Sequence, residues 1–202
     1  MILYGRDLSP YVRRVAIWCA LQGRAVERRP LAATDPVESR EIAKVHPGTR
    51  VPALVLDDGA VLIETSAICD WLDETAGARR LVPAAGLARR DCLQRIALAT
   101  ATAEKAVALV YEKNRRPEAL HWADWQARVT GQVRGTLGAL EAIAPETGFF
   151  GGAAPDGSDI AVVCAYQFAE ATNPWLLDAG YPRLAALAER AMAIEAVAAT
   201  KP

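Results

Sequence analysis

Residues 9–21 read SPYVRRVAIWCAL, and they follow directly on an apolar run and a short loop, MILYGRDL, at residues 1–8. The apolar side chains of this stretch recur at helical spacing, so it predicts an amphipathic helix behind a short strand. Ser9 is a favoured N-cap residue, and Pro10 suits the first helical position because its missing N–H needs no partner there. The stretch therefore predicts the start of an α/β domain. It leaves open whether Ser9 only starts the helix or also touches a substrate.

The chain continues to about residue 80 as an alternation of short strands and helices. The turn Asp57–Gly59 separates two apolar runs, which is typical of a β-hairpin. Thr65 or Ser66 is expected to cap the helix that follows the hairpin. The predicted strands lie at 1–4, 26–31, 51–56 and 60–63, and the predicted helices at 11–22, 36–45 and 65–76. This βαβαββα order is that of a thioredoxin-like domain, which we place at residues 1–80.

The rest of the chain, from residue 87 to residue 202, predicts an all-α domain. Helices are expected at 91–113, 119–144, 159–172 and within 182–197. The second of them carries a continuous apolar stripe, formed by Trp122, Trp125, Val129, Val133, Leu137 and Leu140. Three glycines interrupt this helix at positions 131, 135 and 138, at a cost of up to ~1 kcal/mol each relative to alanine. Close approach of another helix would compensate for that cost.

Composition narrows the range of functions. The formal net charge is -1, with 23 basic and 24 acidic residues, so the chain has no excess of positive charge for binding nucleic acid. No apolar run reaches the ~20 residues of a membrane span, and no signal peptide is recognisable. The four cysteines lie in apolar helical patterns, which predicts buried, reduced thiols and a cytoplasmic location. Two histidines without ligand-spaced partners favour no metal site.

Three short motifs carry the functional hypothesis. Ser9 at a helix N-terminus could donate a hydrogen bond to a thiolate, which the partial positive charge of that terminus also stabilises. Val51-Pro52 precedes the hairpin, where a cis bond would turn the Val51 backbone towards a peptide-like ligand. Glu64-Thr65 could hold the ammonium and carboxyl groups of an amino acid. Each motif also has a purely structural interpretation as a helix start or a turn.

On the stretches SPYVRRV (9–15), RVPAL (50–54) and ETSAI (64–68), the chain resembles the cytosolic glutathione transferases. The resemblance covers the thioredoxin-like domain and extends to the helical domain through PDGSDI (155–160), which is similar to the buried helix-start motif of that family. There Asp156 would be the N-cap residue and Asp159 its capping-box partner, with a structural role.

The resemblance implies a role for each of the matching residues. Ser9 would contact the sulfur of glutathione, and the backbone of Val51 would pair with the cysteinyl part, with Pro52 cis. Arg50 would lie near the tripeptide backbone or its glycyl carboxylate. The remaining glutathione-binding residues would be Glu64 and Thr65 at the γ-glutamyl end and Tyr11 inside the first helix.

The activity that the resemblance implies is transfer of glutathione to a small hydrophobic electrophile, as in detoxification, by a homodimer. Ser9 stands where cysteine-type members have cysteine, which argues against thiol–disulfide reduction; Tyr4 is an alternative hydroxyl. The electrophile would bind the helical domain, near residues 107, 111, 115, 116 and 173–175. The alternatives are a non-catalytic ligand-binding or protein-interaction module of the same fold and a glutathione-dependent isomerase or dehalogenase.

Overall fold

The computed structural model describes residues 1–201, which separate into two compact units. The first unit comprises Met1–Leu81 together with the C-terminal segment from Ile194, and the second comprises Val82–Ala193. The predicted division into a glutathione-binding domain at 1–80 and a helical domain at 87–202 that contributes the electrophile pocket stays a prediction. The bounds of the two packing units differ from the predicted domain bounds. The reason is that the C-terminal segment contacts the first helix of the chain.

The first unit is a four-stranded mixed sheet with helices, and its element order confirms the predicted βαβαββα pattern. In chain order the elements are β1 (Ile2–Tyr4), α1 (Pro10–Leu21), β2 (Glu27–Arg29), α2 (Glu38–Ala43), β3 (Ala53–Val55), β4 (Val61–Ile63) and α3 (Thr65–Glu74). The strands lie in the order β2-β1-β3-β4, with β1 parallel to β2 and antiparallel to β3. The predicted hairpin is the antiparallel pair β3–β4.

Helix α1 is the most deeply buried element of this unit, and it is anchored to α3 by a polar contact in the core. The indole N–H of Trp18 and the side-chain amide of Gln22 both donate to Oδ1 of Asp73, each at 2.8 Å. Because a buried carboxylate is costly unless it is hydrogen-bonded, these donors fix the position of α1 against α3. The anchor lies at the C-terminal end of α1 and leaves its N-terminal end to the β1–α1 loop.

The second unit is helical. Its elements are α4 (Gly86–Arg115), α5 (Ala123–Ile143), α6 (Gly157–Thr172) and α7 (Pro182–Ala191); the last helix, α8 (Glu195–Ala198), belongs to the first unit. Helix α4 packs against both α5 and α6. The side chains of α6 are buried from Gly157 to Ala169, so this helix forms the centre of the unit. The fold class, a thioredoxin-like unit followed by a helical unit, is as predicted.

Two expectations about α5 are wrong. The apolar stripe is buried at Val129, Val133, Leu137 and Leu140, but Trp122 and Trp125 are 63% and 40% exposed. Trp122 is the N-cap residue and Trp125 lies in the first turn, so both precede the stretch of α5 that packs in the core. The three glycines are exposed, and no described atom outside their own helix backbone lies within 4 Å of the Cβ position of any of them. They therefore do not serve close helix packing.

The start of α6 is the predicted capping box. Oδ1 of Asp156 accepts hydrogen bonds from the backbone N–H groups of Ser158 and Asp159, while Oδ2 of Asp159 accepts from the N–H of Asp156. Asp159 also accepts from the N–H groups of Phe150 at 2.8 Å and Gly151 at 3.1 Å. Burial raises the pKa of Asp159 to about 6 in spite of these three bonds. The motif ties the preceding loop to the central helix and has a structural role.

The four cysteines are buried thiols outside any disulfide, as predicted. Burial raises the pKa of Cys19 to about 11, that of Cys69 to about 12 and that of Cys92 to about 11. Thiols with such values are almost fully protonated at neutral pH and are weak nucleophiles. The part of the chain that the structure describes contains no helix with the length and hydrophobicity of a membrane span.

Candidate functional site

Ser9 occupies the N-cap position of α1. Its backbone is extended, and its Oγ accepts the N–H of Val12 at 3.4 Å, so the capping interpretation holds. A serine hydroxyl has two lone pairs and one proton. Within residues 1–201 no acceptor takes that proton. Capping therefore leaves Ser9 able to donate a hydrogen bond to an anion at the start of α1, and the two interpretations of Ser9 are compatible.

Gly5 brings the turn before β3 close to the start of α1. A Cβ atom on Gly5 would lie 2.4 Å from Cγ2 of Val12 and 2.9 Å from Cβ of Val51. Its φ of +123° is also a value that side-chain-bearing residues rarely adopt. Val51 is thus adjacent to the β1–α1 loop, and the Val51–Pro52 peptide bond is cis, as the resemblance implies. The first two motifs of the sequence meet through a residue that the sequence analysis did not single out.

The third motif lies beside the second. Nη1 of Arg50 and Oε1 of Glu64 are 3.6 Å apart, and both side chains are mostly exposed. Glu64, not Thr65 or Ser66 as predicted, is the N-cap residue of α3, and its side chain makes no capping bond. Its backbone has a φ of +67°. Thr65, the first residue of α3, is buried. This leaves the first N–H groups of α3 without a side-chain cap, which suits an anionic ligand group.

Two other candidates in the first unit lie near α1. Tyr11, in the first turn of the helix, is half-buried, and Tyr4, the alternative hydroxyl, is half-buried at the end of β1. The structure thus brings Val12, in the first turn of α1, and Val51 together at Gly5, and it places Arg50 beside Glu64. These contacts gather a hydroxyl donor, a turn with a cis bond and an exposed carboxylate in one unit. That combination can hold a small peptide with a charged amino-acid end.

The residues proposed for the electrophile lie in the second unit. Val107 and Tyr111 are on α4, half-buried and 49% exposed respectively. Arg115 and Arg116 end the same helix, and Nε of Arg116 donates to Glu112 at 2.8 Å. Asn173 is buried and donates to the backbone oxygen of Ala106 at 3.2 Å, so it joins α6 to α4. Tyr111 and Trp175 are the aromatic members of this set, and they are 49% and 40% exposed.

The comparisons with known proteins agree with this geometry. The sequence matches the family model described as "Glutathione S-transferase, N-terminal domain" over residues 3–80 and the one described as "Glutathione S-transferase, C-terminal domain" over residues 123–190. A comparison with curated proteins finds no match.

Three solved structures illustrate the similarity. A glutathione transferase family member from Pseudomonas fluorescens Pf-5 with bound glutathione is 29% identical, with a TM-score of 0.87 over 100% of this chain and 98% of that chain. A glutathione S-transferase from Methylobacillus flagellatus KT with GSH bound is 26% identical, with a TM-score of 0.89 and the same coverage. One from Methylobacterium radiotolerans in complex with glutathione sulfonate is 24% identical, with a TM-score of 0.92 over 100% of this chain and 94% of that chain.

Two domain models from one family match separate parts of the chain in the order that the two structural units follow. The structures of two bacterial members, each more than a quarter identical, match the whole chain at the level of the backbone. This chain belongs to the glutathione S-transferase family.

Proposed function

We propose that the protein is a serine-type glutathione transferase in which Ser9 stabilises the glutathione thiolate for attack on a small hydrophobic electrophile. The observation that carries the proposal is the N-cap position of Ser9, where the hydroxyl proton has no acceptor among the described residues. Solved relatives with bound glutathione support the choice of ligand. The proposal includes a cytoplasmic homodimer, as the family resemblance implies.

The tripeptide would be held at both of its ends. The cysteinyl part pairs with the backbone of Val51, which the cis bond to Pro52 orients. Glu64 and the hydroxyl of Thr65 bind the γ-glutamyl group, and Arg50 neutralises a carboxylate near the peptide backbone. Tyr11 lines the site beside Ser9. The exposed Arg50–Glu64 pair, 3.6 Å apart, is too long for a tight ion pair and can open to accept the ligand's opposite charges.

The chemistry requires an ionised sulfur. A free thiol has a pKa of about 8.5, and lowering it by about 2 requires roughly 2.7 kcal/mol of preferential stabilisation of the thiolate. One charge-assisted hydrogen bond and a helix N-terminus together supply about 1–3 kcal/mol. The thiolate then forms a bond to an electrophilic carbon. In a displacement, the bond between that carbon and the leaving group breaks and its electron pair departs with the leaving group. In an addition, the π electrons of a double bond move to the neighbouring atom. Enforced proximity of the two reactants supplies the remaining acceleration.

Replacing Ser9 by alanine tests the proposal. We expect the pKa of glutathione bound to Ser9→Ala to rise by about 1–2, because one charge-assisted hydrogen bond is lost. Turnover of a chloro-nitrobenzene electrophile at pH 6.5 should fall by about 10- to 100-fold, while the affinity for glutathione changes little. Absorbance of the thiolate near 240 nm, followed as a function of pH, measures the pKa.

Ser9→Thr is the matched control, because it keeps both the hydroxyl and its capping role. It should retain more turnover than Ser9→Ala at equal folded fraction. A wild-type protein that binds glutathione but converts no electrophile in a broad panel would instead be a ligand carrier. A wild-type protein that binds no glutathione would reduce Ser9 and Glu64 to helix-end roles.

Glu64 offers a separate test, because its backbone conformation is unfavourable for a residue with a side chain. At a φ of +67°, glutamate costs of order 1 kcal/mol or more that glycine avoids. We therefore expect Glu64→Gly to be as stable as the wild type or more stable in urea denaturation. Its affinity for glutathione, measured by calorimetry, should fall by roughly 10-fold or more because the carboxylate partner of the ammonium is lost.

Thr49 is the matched control for Glu64, since it also has a positive φ, +50°, without an assigned role in binding. Thr49→Gly should gain stability in the same way while keeping most of the glutathione affinity. Equal affinity losses in the two variants would show that backbone flexibility near the turn, and not the Glu64 carboxylate, governs binding.

A further inference from the structure

Arg13 is a buried arginine in the second turn of α1. Its exposed fraction is 0%, which makes it one of the largest fully buried side chains of the chain. Its Nη2 donates to the backbone oxygen of Val197 at 3.1 Å, and its Nε donates to Oγ1 of Thr200 at 3.3 Å. Its Nη1 has no hydrogen-bond partner within the part of the chain that the structure describes. Among the described residues, the guanidinium therefore donates to two neutral oxygens of the C-terminal segment.

No described carboxylate pairs with this charge, which is unusual for a buried cation. A buried ion is costly unless an opposite charge and a full set of hydrogen bonds compensate for it. The backbone N–H of Arg13 donates to the carbonyl of Ser9 at 3.0 Å, so the residue lies one helical turn from the N-terminal end. A positive charge near that end is also disfavoured by the helix dipole. The described residues therefore do not compensate in full for the cost of burying this charge.

The charged groups on the elements around α1 do not supply the missing anion. Asp73 of α3 accepts hydrogen bonds from Trp18 and Gln22 near the other end of α1. The N-terminal ammonium before β1 pairs with Asp57. Within the described residues, the other ionisable groups on α1, on the elements that pack against it and on the C-terminal segment are Tyr4, Tyr11, Arg14, Cys19, Cys69, Asp70, Glu74, Glu195 and Lys201. Glu195 is exposed.

We propose that Arg13 is the buried counter-charge of the thiolate that binds at the start of α1. The inference rests on the proposed function, because the thiolate would be the anion that the described residues around Arg13 do not supply. Arg13 does not contact the sulfur in this account and acts as a positioning residue. The C-terminal segment, through Val197 and Thr200, holds the guanidinium inside the protein, where solvent does not screen its charge.

The expected size of the effect follows from Coulomb's law. One helical turn is a rise of about 5.4 Å, and with the added length of the arginine side chain we take roughly 10 Å as the distance between its charge and the sulfur. With an effective dielectric constant of about 20, a unit charge at that distance changes an ionisation equilibrium by roughly 10-fold. Removing the charge should thus raise the pKa of the bound thiol by about 1.

The experiment measures the thiolate absorbance of bound glutathione against pH in the wild type and in three variants. Arg13→Gln removes the charge but keeps an amide donor, and its bound thiol should have a pKa higher by about 1. Arg13→Lys keeps the charge, and Thr200→Val weakens the contact with the C-terminal segment but keeps the arginine. Both should stay within about 0.3 of the wild type. Circular dichroism verifies that each variant is folded.

The outcomes separate this inference from the proposed function. A wild-type protein that binds no glutathione, or that binds it without lowering the thiol pKa, overturns both. A lowered pKa that Arg13→Gln leaves unchanged overturns only the role of Arg13, as does a rise in Thr200→Val as large as that in Arg13→Gln. If Arg13→Gln does not fold, the salt dependence of the wild-type protein is the test. Because salt does not screen a buried charge, the pKa of the bound thiol should be the same at 0.05 M and 1 M salt, to within about 0.2. A return of the pKa towards about 8.5 at high salt overturns the proposal.

Discussion

Gly5→Ala is expected to lower the free energy of unfolding by about 2–5 kcal/mol, since it combines backbone strain with a steric clash. The added Cβ would lie 2.4 Å from Cγ2 of Val12 and 2.9 Å from Cβ of Val51. Neither contact is with the end of a flexible side chain, so α1 or the turn at Val51 must move. Because these two segments carry two of the three binding motifs, glutathione affinity should fall together with stability.

Urea denaturation followed by circular dichroism measures the stability, and calorimetry measures the affinity. Gly59→Ala is the matched control, because Gly59 has a φ of +88° in the hairpin turn but no neighbour within 4 Å of its Cβ position. It should cost only the strain of its backbone conformation, about 1 kcal/mol. If both variants lose the same stability, crowding between α1 and the Val51 turn is not what makes Gly5 necessary.

The fold was predictable because its signals are local. The Asp57–Gly59 turn marks the hairpin, and Ser9-Pro10 marks the start of α1 to the residue. Asp156 and Asp159 mark the start of α6 in the same way, since a capping box is defined by residues three positions apart. Where the local signal is ambiguous, the prediction was less accurate. Three hydroxyl or acidic residues in a row, Glu64 to Ser66, all suit a helix start, and the structure uses the first.

The orientation of exposed helix faces was not predictable from spacing alone. Periodicity places Trp122 and Trp125 on the same stripe as Val129, yet Val129 is buried and the two tryptophans are exposed. Likewise, the spacing of three glycines on α5 suggested close packing, whereas they face outwards. A repeating pattern determines which residues share a helix face. It does not determine how far along the helix the neighbouring elements extend.

The candidate site also combines motifs that the sequence reveals with contacts that only the structure shows. Ser9, Val51-Pro52 and Glu64-Thr65 could be identified because each has a chemical character that a short motif reveals. The contacts that join them, Gly5 with Val51 and Arg50 with Glu64, depend on the sheet register and were not predictable. Arg13 was also missed. In the sequence it belongs to one of several scattered basic pairs, and only tertiary structure shows that its side chain is buried against residues more than 180 positions away.

The second large effect is expected at the start of α6. Asp159→Ala removes the acceptor of three backbone N–H groups, those of Phe150, Gly151 and Asp156. Asp159 itself is fully buried, so the donors cannot turn to bulk water without local opening. A buried donor left without a partner costs about 1–3 kcal/mol, and three neighbouring losses are less than additive. We therefore expect a loss of about 3–5 kcal/mol in the free energy of unfolding.

The measurement is urea denaturation at pH 8, above the Asp159 pKa of about 6, so that the wild-type carboxylate is ionised. Asp159→Asn keeps one oxygen acceptor and should fall between the wild type and Asp159→Ala. Asp124→Ala is the matched control, because Asp124 is an exposed acid in the first turn of α5 with no side-chain capping bond at that helix start. It should lose no more than the helix-dipole term, about 0.3–1 kcal/mol.

Because Ser9 lies in the other packing unit, thiolate stabilisation in the folded fraction of Asp159→Ala should be unchanged. A bound-thiol pKa that rises in Asp159→Ala as far as in Ser9→Ala would mean that Asp159 contributes to the glutathione site and is not a purely structural residue.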